Sequence, residues 1–124
     1  MARRKPDPND VNSFLPLPAS VMHIIVALSA GERHGYAIMR ETEELSDGAV
    51  TLGPGTLYAA IGRMIEQGLV EESEERPDPA LDDQRRRYYR LTNLGQRVGA
   101  AEHARLSTLL SAGQLVSLGL GGVS

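Results

Sequence analysis

The chain has no cysteine and no tryptophan, and one phenylalanine in 124 residues. Without cysteine there is no disulfide framework, no thiolate nucleophile and no cysteine-based zinc site. The composition suits a reducing, cytoplasmic setting. With so few large aromatics, Leu, Ile, Val and Ala must fill the interior. A core of this modest size gains from an apolar face buried against a second copy. One domain with a short appendage is the expectation at this length.

A long apolar run is missing too. The stretch from Val21 to Ala30 falls well short of the roughly 20 residues that a membrane-spanning helix requires. Arg3, Arg4 and Lys5 ahead of it give a superficial likeness to a secretory leader. Asp7 and Asp10 sit in the supposed basic region, and Pro16, Pro18 and His23 interrupt the approach to the apolar run. No signal peptide is expected.

Nor is there a basic excess: 13 Lys and Arg stand against 16 Asp and Glu, a formal net charge of −3. Taken whole, this balance opposes binding to a polyanion. The distribution is uneven, however. Acids gather at Glu41–Glu44 and between Glu71 and Asp83, bases at Arg3–Lys5 and Arg85–Arg90. Screening limits each charge to roughly 8–10 Å at physiological salt, so a local basic patch can still hold phosphate.

Catalytic constellations are equally scarce. His23, His34 and His103 have no ligand-like spacing, so no metal is expected. Glu71 and Glu72 fall on an exposed stretch with nothing to desolvate them for general acid–base work. No serine has a convincing histidine partner, and Gly53 and Gly55 lack the lysine of a phosphate loop. No enzyme and no cofactor are predicted.

What the chain does contain is a series of short amphipathic segments. A first helix is expected from about Pro18, with Val21, Ile24, Ile25 and Leu28 on one face. A second comes after His34-Gly35 and carries Tyr36, Ile38, Met39 and Leu45 inward. Val50-Thr51-Leu52 reads as an extended minor strand. The third helix starts at Pro54 or Gly55, runs through Ile61, Met64 and Ile65, and closes at Gln67-Gly68 with a left-handed cap. Leu69 to Glu72 and Arg86 to Leu91 read as two strands joined by a long turn around Arg76-Pro77-Asp78-Pro79. A last helix takes Thr92 as N-cap and reaches Gln114 or beyond.

The expected fold is therefore mainly α with a small β-hairpin, an α+β winged helix-turn-helix with one further helix. Residues 1–14 form a flexible N-terminal arm, 15–92 a winged-helix DNA-binding domain, 93–117 a C-terminal helix and 118–124 a flexible tail.

In such a domain the third helix enters the major groove by its N-terminal end. Gly55 permits close backbone approach, Thr56 and Tyr58 offer hydrogen bonds, Ala59 suits a thymine methyl, and Arg63 lies further along. The alternative makes Tyr58 a core aromatic and Pro54-Gly55 a plain loop. Arg85, Arg86 and Arg87 fit backbone phosphate, with Arg85 and Arg87 alternating against Arg86, Tyr88 and Arg90. The competing account is a charge-defended edge strand, its arginines paired with Asp82, Asp83 and nearby glutamates. His34 and Tyr36 flank the start of the second helix, where His34 serves either as a helix-start hydrogen bonder or as a phosphate contact. Leu94, Val98, Ala101, Leu106, Leu109 and Leu110 are the apolar positions of the last helix. Gly99 within it weakens the helix by about 1 kcal/mol relative to Ala, which implies either close helix–helix approach or looseness.

Three blocks in this order resemble the PadR family of bacterial transcriptional regulators. They are Leu28 with His34-Gly35-Tyr36 and Ile38, then Gly55-Thr56-Leu57-Tyr58 with Ile61, Arg63, Met64 and Gly68-Leu69-Val70, then Arg87-Tyr88-Tyr89-Arg90-Leu91-Thr92 with Gly95. The resemblance runs roughly from Leu17 to Leu110. It implies a homodimer joined through the C-terminal helix over 93–117, with the apolar positions Leu94, Val98, Ala101, Leu106, Leu109 and Leu110 as candidate dimerisation residues, a third helix reading a two-fold-symmetric operator in double-stranded DNA, and repression of a nearby promoter. Tyr36, Thr56, Tyr58 and Arg63 match the family's DNA-facing positions, and Arg87 a basic wing position. A single C-terminal helix resembles the family's short type. Some members stack flat ligands on an aromatic at the dimer interface; this chain has no Trp, and Phe14 falls in the arm. An effector, if the chain has one, is unidentified by the sequence. The second function class is a winged helix used as a protein-interaction module, which the acidic total favours.

Overall fold

The computed structural model describes residues 5–73 and 87–114. A 3-10 turn at Val11–Phe14 leads into α1 (Ala19–Leu28), β1 (Arg33–His34), α2 (Gly35–Leu45), α3 (Pro54–Glu66), β2 (Val70–Ser73), β3 (Tyr88–Leu91) and α4 (Asn93–Ala112). The three strands form one antiparallel sheet in the order β1-β3-β2.

Helix periodicity places the core. Val21, Ile24, Ile25 and Leu28 of α1 are buried against Ile38 of α2 and Leu57, Ala60, Ile61 and Met64 of α3. Leu45 and Ile65, expected inward, are 52% and 41% exposed.

The α3 helix stops as expected. Gly68 takes φ +79, the Leu69 N–H donates to the Met64 carbonyl at 2.9 Å and the Gly68 N–H to Ile65 at 3.0 Å. These paired bonds satisfy carbonyls that the helix end leaves open.

The minor strand is not where the sequence suggested. It is Arg33–His34, paired with Tyr89 and Tyr88 of β3. The 50–52 stretch forms no strand because its backbone is satisfied locally. The Val50 N–H donates to Ser46 Oγ at 2.9 Å, and that hydroxyl lies 2.9 Å from the Thr42 carbonyl. Leu52 instead turns into the core.

Residues 11–14, expected within the arm over 1–14, form the 3-10 turn. Asp10 caps the 3-10 turn, and Phe14 is 6% exposed within the core. Beyond it, the Leu17 N–H donates to the buried carboxylate of Glu102 on α4 at 2.7 Å.

The α4 helix is fixed at its base. Thr92 caps it through Oγ1, which accepts from the Gly95 N–H at 3.0 Å, while the Thr92 N–H reaches the Leu69 carbonyl at 3.1 Å. The Thr92 hydroxyl donates in turn to the Gly68 carbonyl. Gly99 marks close approach rather than looseness: a Cβ there would be 2.7 Å from Ile25 Cγ2.

Candidate nucleic-acid interface

The outer stripe of α3 carries Gly55, Thr56, Tyr58, Ala59 and Arg63, all exposed, while Leu57, Ala60, Ile61 and Met64 turn inward. Gly53 stands at the N-cap and makes no side-chain cap bond. The first-turn amides of α3 thus keep the positive end of the helix open to an anion.

Tyr58 is not a core aromatic, since it is 47% exposed. Its phenol lies over the start of α2, against Gly35. Burial pushes the Tyr89 hydroxyl above the usual tyrosine range, and the nearby Tyr58 and Glu72 add to that, while the Arg87 charge opposes it. Tyr58 and Arg87 therefore both lie within electrostatic reach of one β3 side chain.

At the front of α2, His34 is the helix N-cap, its Nδ1 accepting from the Ala37 N–H at 3.1 Å. That is the helix-start role foreseen for it. Its ring stacks on Tyr36, centroids 6.4 Å apart and 26° between planes. It meets Tyr88 edge-on at 5.5 Å and 78°. Tyr36 itself is 58% exposed.

On the wing, Arg87 pairs with Glu72 at 3.6 Å and Arg90 with Glu71 at 2.8 Å. Each pair is half-exposed or more, so each contributes about 0–1 kcal/mol and is readily exchanged for a phosphate. The pairing foreseen in the competing account thus exists, with Glu71 and Glu72 as partners. Arg85 and Arg86, like Asp82 and Asp83, lie outside the described residues.

The candidate dimerisation residues separate into two groups. Val98 is fully buried in the protomer's own core, and Leu94 is partly buried against that core. Ala101 and Leu106 are half-buried, and Leu109 and Leu110 are 59% and 68% exposed. Near the base of α4 an open groove of about 590 Å³ runs between α1, β3 and α4, walled by Met22, Ile25, Val26 and Leu91, with Gly99 and Ala100 along α4.

Two contributors escaped sequence reading. Tyr88 looked like one more alternating strand residue. Gly35 looked like part of a helix start. Their roles depend on pairing across β1 and β3 and on the angle between α2 and α3, which no local pattern encodes. Among the described residues no group of His, Asp or Glu is arranged to hold a metal, and no helix is long and apolar enough to cross a membrane.

Three packed helices, a hairpin wing beside them and a third helix with a free outer stripe define a winged helix-turn-helix protein. Residues 24–101 match the transcriptional regulator PadR-like family. That is more than half of the chain, and the chain belongs to this family, whose members are regulators of transcription rather than enzymes.

RosR of H. salinarum is 32% identical, with 80% of this chain and 79% of RosR covered and a TM-score of 0.60. A structure of the hsRosR-S4 complex is 27% identical over 83% of this chain and 95% of its own, also at 0.60. A PadR family transcription regulator from Clostridium difficile R20291 shares the fold at 22% identity, covering 77% of this chain and 94% of its own, with a TM-score of 0.61. Over 55 residues, 44% of this chain, it is 42% identical to an uncharacterised 37.1 kDa protein in transposon TN4556 of Streptomyces fradiae, and it spans 15% of that protein's length.

Proposed function

We propose that this chain binds double-stranded DNA sequence-specifically as a homodimer and represses transcription from the bound site. The outer stripe of α3 reads the major groove, and Arg87 with its neighbours on the wing holds the backbone. One observation supports this above the others. Tyr58 of α3 lies against the α2 start at Gly35, and the neighbouring His34 meets Tyr88, next to Arg87, on the wing. That chain of contacts supports setting the front of α3 and the wing root on one side of the molecule, as a duplex would need. The net charge of −3 is no obstacle, because cations within a Debye length of the phosphates dominate the contact.

The dimer follows from the apolar surface of α4. Leu106, Leu109 and Leu110 at its far end need a cover, and the groove at the α1/α4 junction of a second copy is apolar and open. A two-fold pairing of this kind sets two α3 helices about 34–36 Å apart, one turn of duplex.

Fluorescence anisotropy on duplexes tiled across the DNA upstream of its own gene tests the reading. At least one duplex should bind 10³-fold or more tightly than a random one. Equal binding to all duplexes, or none, turns the assignment to a protein-interaction module. Light scattering after size exclusion should give twice the chain mass, reverting to one chain mass in Leu109→Asp/Leu110→Asp.

A further inference from the structure

We propose that His34 is a positioning residue that couples the wing to the helix pair. The inference rests on the DNA-binding reading above for its consequence, though the coupling itself is a property of the free protein.

The β1 strand is two residues long, so the sheet's attachment to the helices at this corner runs through Arg33 and His34. The His34 backbone pairs with Tyr88 in the ladder. Its ring also holds the Tyr88 ring edge-on at 5.5 Å and stacks on Tyr36 of α2 at 6.4 Å. Aromatic pairs at such separations have a preferred geometry, so the imidazole ties one wing residue to one residue at the front of α2. Tyr88 adjoins Arg87, the cation assigned to phosphate.

The choice of residue carries the argument. An N-cap is met best by Asn, Asp or Ser. Histidine caps here through Nδ1, with the neutral ring's proton on Nε2. A smaller polar residue would satisfy the Ala37 N–H equally well, and only a ring reaches both Tyr36 and Tyr88.

Two reciprocal variants separate capping from positioning. His34→Asn keeps a cap and loses the ring. His34→Phe keeps a ring and loses the cap. Amide hydrogen exchange is read in the free protein, and affinity for the best upstream duplex is read with and without Arg87→Ala. In His34→Asn, exchange at Tyr88–Leu91 should speed up at least fivefold while the first turn of α2 keeps its protection. Operator affinity should fall about tenfold, and the losses from His34→Asn and Arg87→Ala should combine to less than their product, because both act through the wing. His34→Phe should keep β3 protection even as its melting temperature falls.

Wild-type exchange at β3 in His34→Asn, or losses that multiply in full, would overturn the coupling and leave His34 as a cap or an independent phosphate contact. If the wild-type protein binds no duplex, the DNA reading fails, and the exchange data still decide whether His34 ties the wing down.

Discussion

The phenol of Tyr58 occupies the space that a side chain at Gly35 would need. A Cβ on Gly35 would lie 2.7 Å from Tyr58 Cζ and closer still to its hydroxyl oxygen. The first residue of α2 and the fifth of α3 are therefore fitted to each other. A half-exposed tyrosine on α3 is held against glycine rather than left to swing.

Gly35→Ala tests this fit. The phenol is the far end of a side chain with two torsions, so it can move aside, and stability should drop by only about 1 kcal/mol. Binding should suffer more. We expect operator affinity to fall at least fivefold with random-duplex affinity nearly unchanged. Thr56→Ala and Tyr58→Ala should show the same selectivity, and equal losses on both duplexes would remove α3 from base readout.

Arg87 and Glu72 provide the second test. Arg87→Ala should weaken binding to every duplex and lower the salt slope by about one unit. Glu72→Gln should do the reverse. It frees Arg87 from its 3.6 Å partner and removes a negative charge beside the phosphates, so affinity should rise severalfold at low salt. Titrations of both variants across salt concentrations check the pair of signs.

A third prediction concerns Glu102, which is 2% exposed and binds the Arg105 guanidinium as well as the Leu17 N–H. The bond from Arg105 holds the carboxyl below the usual glutamate range, burial opposes this, and the Leu17 N–H reinforces it. A lowered folded-state pKa means stability that is present above the unfolded-state value and is lost as pH falls through the folded-state one. Glu102→Ala should cost about 2 kcal/mol at pH 7, the scale of a charged hydrogen bond. The gap to wild type should narrow as pH falls below about 4, the ordinary glutamate range. Urea midpoints at neutral and strongly acid pH read this out.

Two glycines should respond with opposite sign. A Cβ at Gly95 would collide with the Leu69 carbonyl, standing 3.0 Å from its carbon, and backbone cannot step aside as a phenol can. Gly95→Ala should cost about 3 kcal/mol, the upper part of the overpacking range. Gly62 has nothing within 4 Å and sits in the middle of α3. Gly62→Ala should stabilise the free protein by about 0.5–1 kcal/mol through helix propensity. Thermal melts of the two variants decide both claims.

The parts legible in the sequence were those governed by local chemistry. Ile61 and Met64 announce the inner face of α3, Gly68 its left-handed end, and Thr92 the start of α4. Parts governed by tertiary choice were not legible. Residues 50–52 look extended, and Ser46 turns them into a satisfied loop. Arg33–His34 is too short to show a period and becomes a strand only because β3 lies beside it. Val98 and Leu109 are both apolar positions of one helix, yet the protomer's core takes Val98 and leaves Leu109 outside. Sequence alone cannot say which apolar stripe a chain keeps for itself.

The attachment of α4 at Thr92 and Gly95 bears on how a distant event would be felt at the duplex. With 20 residues, α4 is about 30 Å long at 1.5 Å per residue. Its foot is bonded to Gly68 and Leu69, the corner where α3 gives way to β2. These bonds couple the shaft to that corner. In the proposed dimer, a few degrees of twist applied between the two shafts would pass undamped to the α3 tips. It would be read as a change in their span, so whatever grips that pair of levers controls whether they still match successive turns of the groove.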